Sequence, residues 1–352
     1  MHRTTLLVTL LAATAELSAQ QLPLEARVDA MFRGCNKPGS PGAVVLVAKG
    51  EQILLQKAYG LADLERDVPL TVDSVFDIGS TSKQFTAASV LLLQSDGKLA
   101  LSDRVVERVP ELPACCADIT LRHLLLHTSG LPDYIELLAE HHDLVDRTTG
   151  EQAIEALGTV TKLEFPVGSK WAYSNSNYLL LAEVVARVSG VSWAEFVAER
   201  IFAPLDMKRS HVHDDCTKLV PGRAFSYERS GRGWRWDFSN WEQVGDGAVF
   251  TTVGDLLRWA RNFDTGLVGG EALRTAMAAP GRLDDGSPID YGMGLSFETL
   301  DKVPTVSHSG AWASYRAELL RIPARELVVI CLCNRSDLDP SGLCRRIAAA
   351  VE

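Results

Sequence analysis

The patterns that predict β-strands lie at the two ends of this chain, and helical patterns occupy the sequence between them. A valine-rich run at 43–48 and a second apolar run at 53–59 predict a hairpin near the amino terminus. Strand patterns recur near the carboxyl terminus at 305–306, 314–322 and 326–332. We therefore predict an α/β layer that is built from both termini, with a helical region inserted between them.

Apolar residues at helical spacing locate the inserted region. They predict helices at 22–35, 83–93, 121–126, 151–158, 177–189, 192–201, 254–263 and 341–351. The segments at 60–75 and 215–250 are predicted to be irregular connections. We place the α/β part at about 24–78 and 285–352, and the mostly helical part at about 79–284.

A candidate nucleophile stands at the start of one predicted helix. Residues 83–93 contain neither proline nor glycine, and their apolar positions form a single stripe. Gly79 directly precedes Ser80, so we expect Ser80 to begin this helix. Lys83 would then lie one turn further along, on the same face and within reach of the Ser80 hydroxyl.

The pairing of Ser80 with Lys83 predicts an activated serine. The positive end of the helix macrodipole favours a serine oxygen that gains negative charge. An ammonium group that is partly desolvated can lose its proton near neutral pH and accept the hydroxyl proton. The alternative is an N-capping Ser80 with a solvated Lys83, because a lone Ser-x-x-Lys pattern is a weak signal.

A second motif, Tyr173-Ser174-Asn175, lies on a turn before the predicted helix at 177–189. A tyrosine hydroxyl near an ammonium group has a stabilised phenolate and can serve as a general base or acid. Asn175 supplies an amide that accepts from and donates to a substrate amide or ester. The alternative is an aromatic core residue followed by a helix-capping Ser-Asn pair.

A third motif, His308-Ser309-Gly310-Ala311, begins a predicted strand. Gly310 would let a substrate backbone approach, and the Ala311 amide would face the Ser80 amide as a second oxyanion donor. His308 would assist the tyrosine or hold a carboxylate, although a lone histidine is more often a structural residue.

Together and in this order, the three motifs resemble those of the serine β-lactamase and penicillin-binding-protein superfamily. The likeness is to its branch of class C β-lactamases, D-alanyl-D-alanine carboxypeptidases and esterases. Supporting stretches lie at 121–134, 165–168, 204–207 and 245–252, and the likeness extends from about residue 24 to the end. The resemblance implies a β-lactamase/transpeptidase-like fold, in which helices flank an antiparallel sheet.

The resemblance also implies a role for each motif residue. Ser80 would be the acylated nucleophile, and Lys83 and Tyr173 would form the proton relay. Asn175 would orient the substrate amide, and the amides of Ser80 and Ala311 would form the oxyanion hole. His308 and Gly310 would belong to the substrate-binding strand.

The histidine at position 308 bears on the choice of substrate. Class C β-lactamases typically have Lys-Thr-Gly where this chain has His308-Ser309-Gly310, and His-x-Gly resembles the peptidase and esterase members. We therefore predict a serine hydrolase that acts through an acyl-enzyme on D-amino-acid peptides, amides or small esters. One alternative is a true class C-type β-lactamase. The other is a penicillin-recognising sensor or binding module that does not turn over its ligand. The sequence shows no additional carboxylate that would activate water for deacylation, and Glu164 is at best a surface candidate for that role.

Two other patterns point to different chemistry and are incomplete. The histidine-rich run at 211–216 lacks the last histidine of a metallohydrolase ligand set, and His123 with His127 lacks the glutamate of His-Glu-x-x-His. A triad on Ser129 is unsupported because Gly-x-Ser-x-Gly is absent. We expect no metal and no cofactor.

Composition bears on partners and compartment. Lys plus Arg number 35 against 45 Asp plus Glu, a formal charge of −10, which argues against nucleic acid and anionic membranes as partners. A small-molecule or peptide substrate remains as the expected partner. A basic start and an apolar run at 4–15 predict a signal peptide at 1–19. The hydrolase domain at 20–352 would then be periplasmic or secreted, with no stable membrane insertion.

The seven cysteines are odd in number and irregularly spaced, so no disulfide framework is visible. Cys35 ends the first predicted helix and Cys344 lies in the last. In the fold that the resemblance implies, those two helices should pack on one face of the sheet. An oxidising compartment would then allow a Cys35–Cys344 bridge.

Overall fold

The computed structural model describes residues 22–351. The helices are α1 (Leu24–Met31), α2 (Lys83–Ser95), α3 (Leu121–Leu125), α4 (Tyr134–Ala139), α5 (Gly150–Gly158), α6 (Asn175–Ser189), α7 (Trp193–Val197), α8 (Val253–Thr265), α9 (Gly270–Met277) and α10 (Pro340–Ala350). The strands are β1 (Ala43–Lys49), β2 (Gln52–Tyr59), β3 (Leu61–Asp63), β4 (Val68–Pro69), β5 (Phe76–Asp77), β6 (His211–Val212), β7 (Tyr227–Ser230), β8 (Gly233–Trp236), β9 (Val249–Thr251), β10 (Ser296–Leu300), β11 (Val303–Trp312), β12 (Tyr315–Ile322) and β13 (Leu327–Cys333).

A six-stranded antiparallel sheet joins the two ends of the chain. Its strand order is β10-β11-β12-β13-β1-β2, so the first strand of the chain lies beside the last. Along the β1–β13 pair, Ala43 is opposite Cys333 and Lys49 is opposite Leu327. The predicted α/β fold, with an antiparallel sheet built from both ends and flanked by helices, is confirmed.

Helices cover both faces of this sheet, which explains why its central strands are continuous apolar runs. Along β13, Val328, Ile330 and Leu332 face the large core beneath the helical region. The alternate residues Val329 and Cys331 face a smaller core formed with α1 and α10. Every residue of β13 is buried, because the period-two alternation of a strand sends each side chain into one core or the other.

Helix α2 lies at the centre of the inserted helical region, packed against α6 and α9. All its residues from Lys83 to Leu93 are buried. A helix that is buried all round is a core helix, so its first turn is held firmly in place. This helix places the Ser80–Lys83 motif at the boundary between the helical region and the sheet.

Several short elements escape sequence prediction. The connection at 60–75 forms the β3–β4 ribbon, and the segment at 215–250 contains the β7–β8 hairpin and β9. Helices α4 and α9 and the edge strand β10 were also not predicted. These elements are short, and their residues gain stability from tertiary contacts rather than from a long periodic pattern.

The cysteines do not pair. As expected, α1 and α10 pack together on one sheet face, and Cys35 and Cys344 lie in the same core. All seven cysteines are nevertheless free thiols, so the predicted Cys35–Cys344 bridge is absent from this structure. Burial raises the pKa of the Cys35 thiol to about 11, which keeps it protonated.

The predicted signal peptide at 1–19 lies outside the described residues. Within the described range, no helix is both long and apolar enough to cross a bilayer.

Candidate active site

Ser80 lies on a 3₁₀ turn, Gly79–Ser82, that connects β5 to α2, so it precedes the helix and does not begin it as predicted. The turn needs glycine at its first position because Gly79 has a φ of +48°. The Gly79 amide donates to Asp77 Oδ1 over 2.8 Å. The Thr81 hydroxyl donates to the His308 carbonyl oxygen over 3.1 Å, which binds the turn to β11. The nucleophile is therefore fixed between the helical region and the sheet.

The Lys83 side chain is completely buried and bonds to three oxygen atoms. Its Nζ donates to Ser80 Oγ over 3.0 Å, to Asn175 Oδ1 over 2.8 Å and to the Asp246 carbonyl oxygen over 2.7 Å. The 3.0 Å separation also permits the reverse bond, in which the Ser80 hydroxyl donates to an amine that has lost a proton. The predicted serine–lysine contact is thus present in the geometry that proton transfer requires.

Asn175 is the first residue of α6 and joins Lys83 to Asp133. Its Oδ1 accepts from Lys83, and its Nδ2 and backbone amide donate to Asp133 Oδ2 over 2.8 and 2.9 Å. Since Asp133 also caps α4 by accepting from the Ile135 amide, both ends of the Asn175 amide group are held by fixed partners. This fixes the orientation of the Asn175 side chain before any substrate arrives.

Tyr173 lies beside the lysine at the edge of the site. Its side chain is 38% exposed, and its ring centroid lies 4.9 Å from Lys83 Nζ. On the buried side the ring stacks on His127, with 4.4 Å between the ring centroids. The structure therefore places the Tyr173 ring beside Lys83, whose Nζ contacts Ser80.

His308 lies deeper than the sequence suggests. Its Nδ1 lies 2.6 Å from the Ser309 carbonyl oxygen and its Nε2 lies 3.0 Å from the Tyr291 hydroxyl. A carbonyl oxygen only accepts, so Nδ1 carries the proton and Nε2 accepts from Tyr291. Burial and the nearby Lys83 charge lower the pKa of His308 to about 4, so the ring is neutral at pH 7.

Gly310 and Ala311 bring β11 against the nucleophile turn. A methyl group on Gly310 would lie 1.8 Å from the Ile78 carbonyl oxygen, so only glycine allows this approach. The glycine therefore makes room for the turn, whereas the sequence suggested room for a substrate backbone. Ala311 N lies close to Gly79, since a methyl group built on Gly79 would come within 2.7 Å of it. The Ala311 amide is thus adjacent to the Ser80 segment, as an oxyanion hole requires.

A cavity of about 180 Å³ opens beside Ser80 and is called the Ser80 cavity below. Of the predicted site residues, Ser80, Asn175 and Ala311 line it. Sequence reasoning did not assign the charged residues and the histidine of its wall to the site; these are Asp77, His213, Arg223 and Asp246. Asp77 and Asp246 stand within motifs that could have drawn attention to them, since one precedes the Ser80 turn and the other lies between Gly245 and Gly247.

The buried groups around this cavity have strongly shifted pKa values. Burial raises the pKa of Asp77 to about 7 and that of Asp246 to about 6. Burial lowers the pKa of His213 to about 4, with the Arg223 and His211 charges acting in the same direction. His127 is likewise neutral, because burial and then the Lys83 charge hold its pKa well below the usual value. Clusters of this kind are typical of functional sites.

The residues of the incomplete motifs make local contacts within the fold. His123 contacts Thr120 and Asp284, and the Ser129 hydroxyl donates to Asn177 Oδ1 over 2.6 Å. His211 and His213 pack against Phe250.

One group in the described range, Asp215, Cys216 and Glu242, has ligand atoms within 4.8 Å of one another. Glu242 Oε1 there accepts from Arg147 Nε and from the Cys216 amide, so protein donors already satisfy it.

The chain is similar to known proteins over most of its length. Residues 28–351 match the family described as Beta-lactamase. The chain is 31% identical to penicillin-binding protein 4* of Bacillus subtilis (strain 168) over 83% of its own length and 68% of that protein. It is 28% identical to a D-aminopeptidase of Gluconobacter oxydans (strain 621H) over 93% of its length. It spans only 62% of that enzyme. The octameric penicillin-binding protein homologue from Pyrococcus abyssi superimposes with a TM-score of 0.77 and 25% identity, covering 93% of this chain and 76% of the other.

Proposed function

This chain belongs to the beta-lactamase family and is a serine hydrolase, and we propose that it cleaves amides of D-amino acids through an acyl-enzyme on Ser80. The observation that carries the proposal is the bond network of Lys83, whose Nζ lies 3.0 Å from Ser80 Oγ and 2.8 Å from Asn175 Oδ1. The D-aminopeptidase relatives support the choice of substrate. We extend the proposal to D-peptides and small esters, because the same acyl transfer to Ser80 can expel the amine of a peptide or the better leaving group of an ester.

The first half of the reaction would form the acyl-enzyme. Ser80 Oγ attacks the substrate carbonyl carbon while its proton passes to the relay of Lys83 and Tyr173. The Ser80 and Ala311 amides stabilise the oxygen that gains negative charge. The carbon–nitrogen bond then breaks, and the relay returns the proton to the leaving amine.

The second half would release the acid product. Water attacks the ester on Ser80, gives its proton to the same relay, and the acid leaves as Ser80 regains its hydrogen. Tyr173 is 38% exposed, so this member of the relay lies next to solvent. No carboxylate other than Asp77 and Asp246 lines the described wall of the Ser80 cavity, and Glu164 is not part of that wall.

The β-lactamase and sensor alternatives predict different behaviour. A penicillin carries a carboxylate, whereas His308 is neutral at pH 7 because its pKa is about 4. It therefore supplies no permanent positive charge at the position where class C β-lactamases have lysine. We expect weak penicillin turnover beside that of a D-amino-acid amide, and a sensor would show acylation without turnover.

A labelling and substrate screen tests the proposal. Intact mass after incubation with a fluorophosphonate should show one adduct on the wild type and none on Ser80→Ala. D-alanine p-nitroanilide should be hydrolysed in preference to the L-enantiomer and to benzylpenicillin. An adduct retained by Ser80→Ala, or a preference for the L-amide, would overturn the proposal.

A further inference from the structure

The Tyr173 hydroxyl makes no hydrogen bond to the residues that the structure describes, so other contacts must orient this side chain. Its closest ring contact within the described part of the chain is with His127, where the ring centroids lie 4.4 Å apart. The rings of Tyr291 and His308 lie farther away, with their centroids at 6.4 Å. The orientation of this exposed relay residue therefore depends chiefly on His127.

His127 also binds the backbone on both sides of Tyr173. Its carbonyl oxygen accepts from the Ala172 amide over 3.0 Å. Its Nδ1 accepts from the Ser174 amide over 3.3 Å. One residue thus holds the amide groups before and after the tyrosine, in addition to the tyrosine ring itself.

The hydrogen bonds of His127 identify its protonation state. A backbone amide can only donate, so Nδ1 is an acceptor, and it also lies 3.0 Å from Asn177 Nδ2. Burial and then the Lys83 charge hold the pKa of His127 well below its usual value, so the ring is neutral and its proton is on Nε2. Nε2 is buried and has no hydrogen-bond partner among the described residues. An unpaired buried N–H is costly, which indicates that the fold needs the acceptor and the flat ring of this histidine.

The backbone and surroundings of His127 fix its imidazole in one place. Its φ is +55°, a left-handed conformation that is uncommon for a residue other than glycine. Residues held in such conformations cluster at functional sites, where the surrounding structure determines their geometry. The residue is completely buried, and the ring centroids of Tyr178 and Tyr291 lie 5.0 and 4.9 Å from its own. The imidazole therefore presents a fixed surface to Tyr173.

We propose that His127 is a positioning residue that holds the ring and backbone of Tyr173, so that the phenol stays beside Lys83 during proton transfer. This inference rests on the relay of the proposed function. His127 acts through Tyr173 and not on the substrate, because its Nε2 is buried and its Nδ1 is used within the fold. A displacement of a reacting group by about 1 Å can lower a rate about 10²-fold, so this support bears directly on catalysis.

The test is a double-mutant cycle between His127 and Tyr173, measured on the hydrolysis of p-nitrophenyl acetate. His127→Asn tolerates a positive φ and keeps a polar atom near the place of Nδ1, but it removes the ring. We expect kcat to fall about 10- to 100-fold and KM to change less than about threefold, because the contacts with substrate remain. In a Tyr173→Phe background the same change should lower kcat less than about twofold, since the hydroxyl that His127 positions is already absent.

Two further variants separate positioning from folding. His123→Asn removes another histidine whose Nδ1 accepts from a backbone amide, that of Thr120 over 3.1 Å, and it should keep the wild-type kcat. His127→Gly removes both the ring and the acceptor, while glycine adopts the positive φ freely. It should melt as a folded protein and lose at least as much kcat as His127→Asn.

The outcomes separate this inference from the proposed function. A wild-type kcat in His127→Asn, or an equal loss of kcat with and without the Tyr173 hydroxyl, would overturn the role of His127 and leave the hydrolase proposal standing. A wild-type kcat in Tyr173→Phe would overturn both the relay and this inference. A wild type that is acylated on Ser80 but hydrolyses no D-amide would overturn the proposed substrate and leave the cycle on the ester intact.

Discussion

Three side chains of this site are held by neighbours that already use most of their hydrogen-bonding capacity. Lys83 has three oxygen partners, Asn175 has Lys83 and Asp133, and His308 has Tyr291 and Ser309. Side chains fixed in this way need little reorganisation when charge develops on the substrate, which is the main source of electrostatic catalysis. At the residue scale, Ser80 and Lys83 should therefore behave as one unit.

Ser80→Ala and Lys83→Ala should each reduce kcat/KM by at least about 10³-fold, and the double variant should be no worse than either. Removing one partner already destroys the proton transfer, so removing both costs nothing further. The measurement is the steady-state hydrolysis of the best amide or ester. Ser89→Ala, which removes a buried hydroxyl from the same helix, is the matched control and should stay close to the wild type. Wild-type activity in Ser80→Ala would refute the assignment.

At the scale of elements, the site depends on how closely β11 approaches the turn before α2. Gly310 permits this approach, and the Thr81–His308 bond secures it. On the other side of β11, Glu318 of β12 accepts from the Ser341 hydroxyl of α10 over 2.6 Å. Contacts of this kind between strands and helices position the Ala311 amide.

Gly310→Ala should destabilise the protein by about 2 kcal/mol or more and sharply reduce activity, because the new methyl group forces β11 away from Ile78. Thermal melting and ester hydrolysis measure the two effects. Gly34→Ala is the control, since Gly34 has open space around it and should change stability by less than about 1 kcal/mol. A Gly310→Ala variant with wild-type melting would show that the strand is not packed against the turn.

Glu318 should make stability depend on pH. Burial raises the pKa of Glu318 to about 7 from a model-peptide value of 4.5. The folded state therefore binds the carboxyl proton of Glu318 more tightly than the unfolded state does. Protonation stabilises the fold fully below pH 4.5, and this stabilisation is lost as the pH rises through 7.

As the pH rises from 5 to 8, the free energy of unfolding of Glu318→Gln should therefore increase relative to that of the wild type, by on the order of 2 kcal/mol. Urea unfolding at the two pH values measures this gain. The exposed Glu65→Gln change is the control and should show no such gain. A difference between Glu318→Gln and wild type that stays constant with pH would contradict the argument.

At the scale of the whole molecule, two distant parts of the chain close one sheet, with α1 and α10 on its outer face. The helical region between them contributes the nucleophile turn, and the carboxyl-terminal strands contribute the oxyanion donor. The site therefore exists only when the two ends have paired, so activity should be lost together with the sheet.

Export is the prediction that concerns the chain as a whole. The apolar run at 4–15 leads us to expect a mature protein that begins near Glu16 or Gln20. N-terminal sequencing of protein from the native host, separated into cytoplasmic and exported fractions, measures this. An intact Met1 on active protein would contradict the expectation.

Local patterns along the chain predicted the elements and contacts that depend on near neighbours. Periodicity located α2, α6, β12 and β13, because the spacing of apolar residues reports which face of an element is buried. The spacing of Ser80 and Lys83 also predicted their contact, since residues three apart in a helical turn are neighbours.

Contacts between groups far apart in the chain depend on tertiary packing. Lys83 and Asp246 are 163 positions apart, and Thr81 and His308 are 227 apart. No local pattern encodes such contacts, which arise from the packing of whole elements. For the same reason His308 is buried against Tyr291, and Gly310 makes room for Ile78.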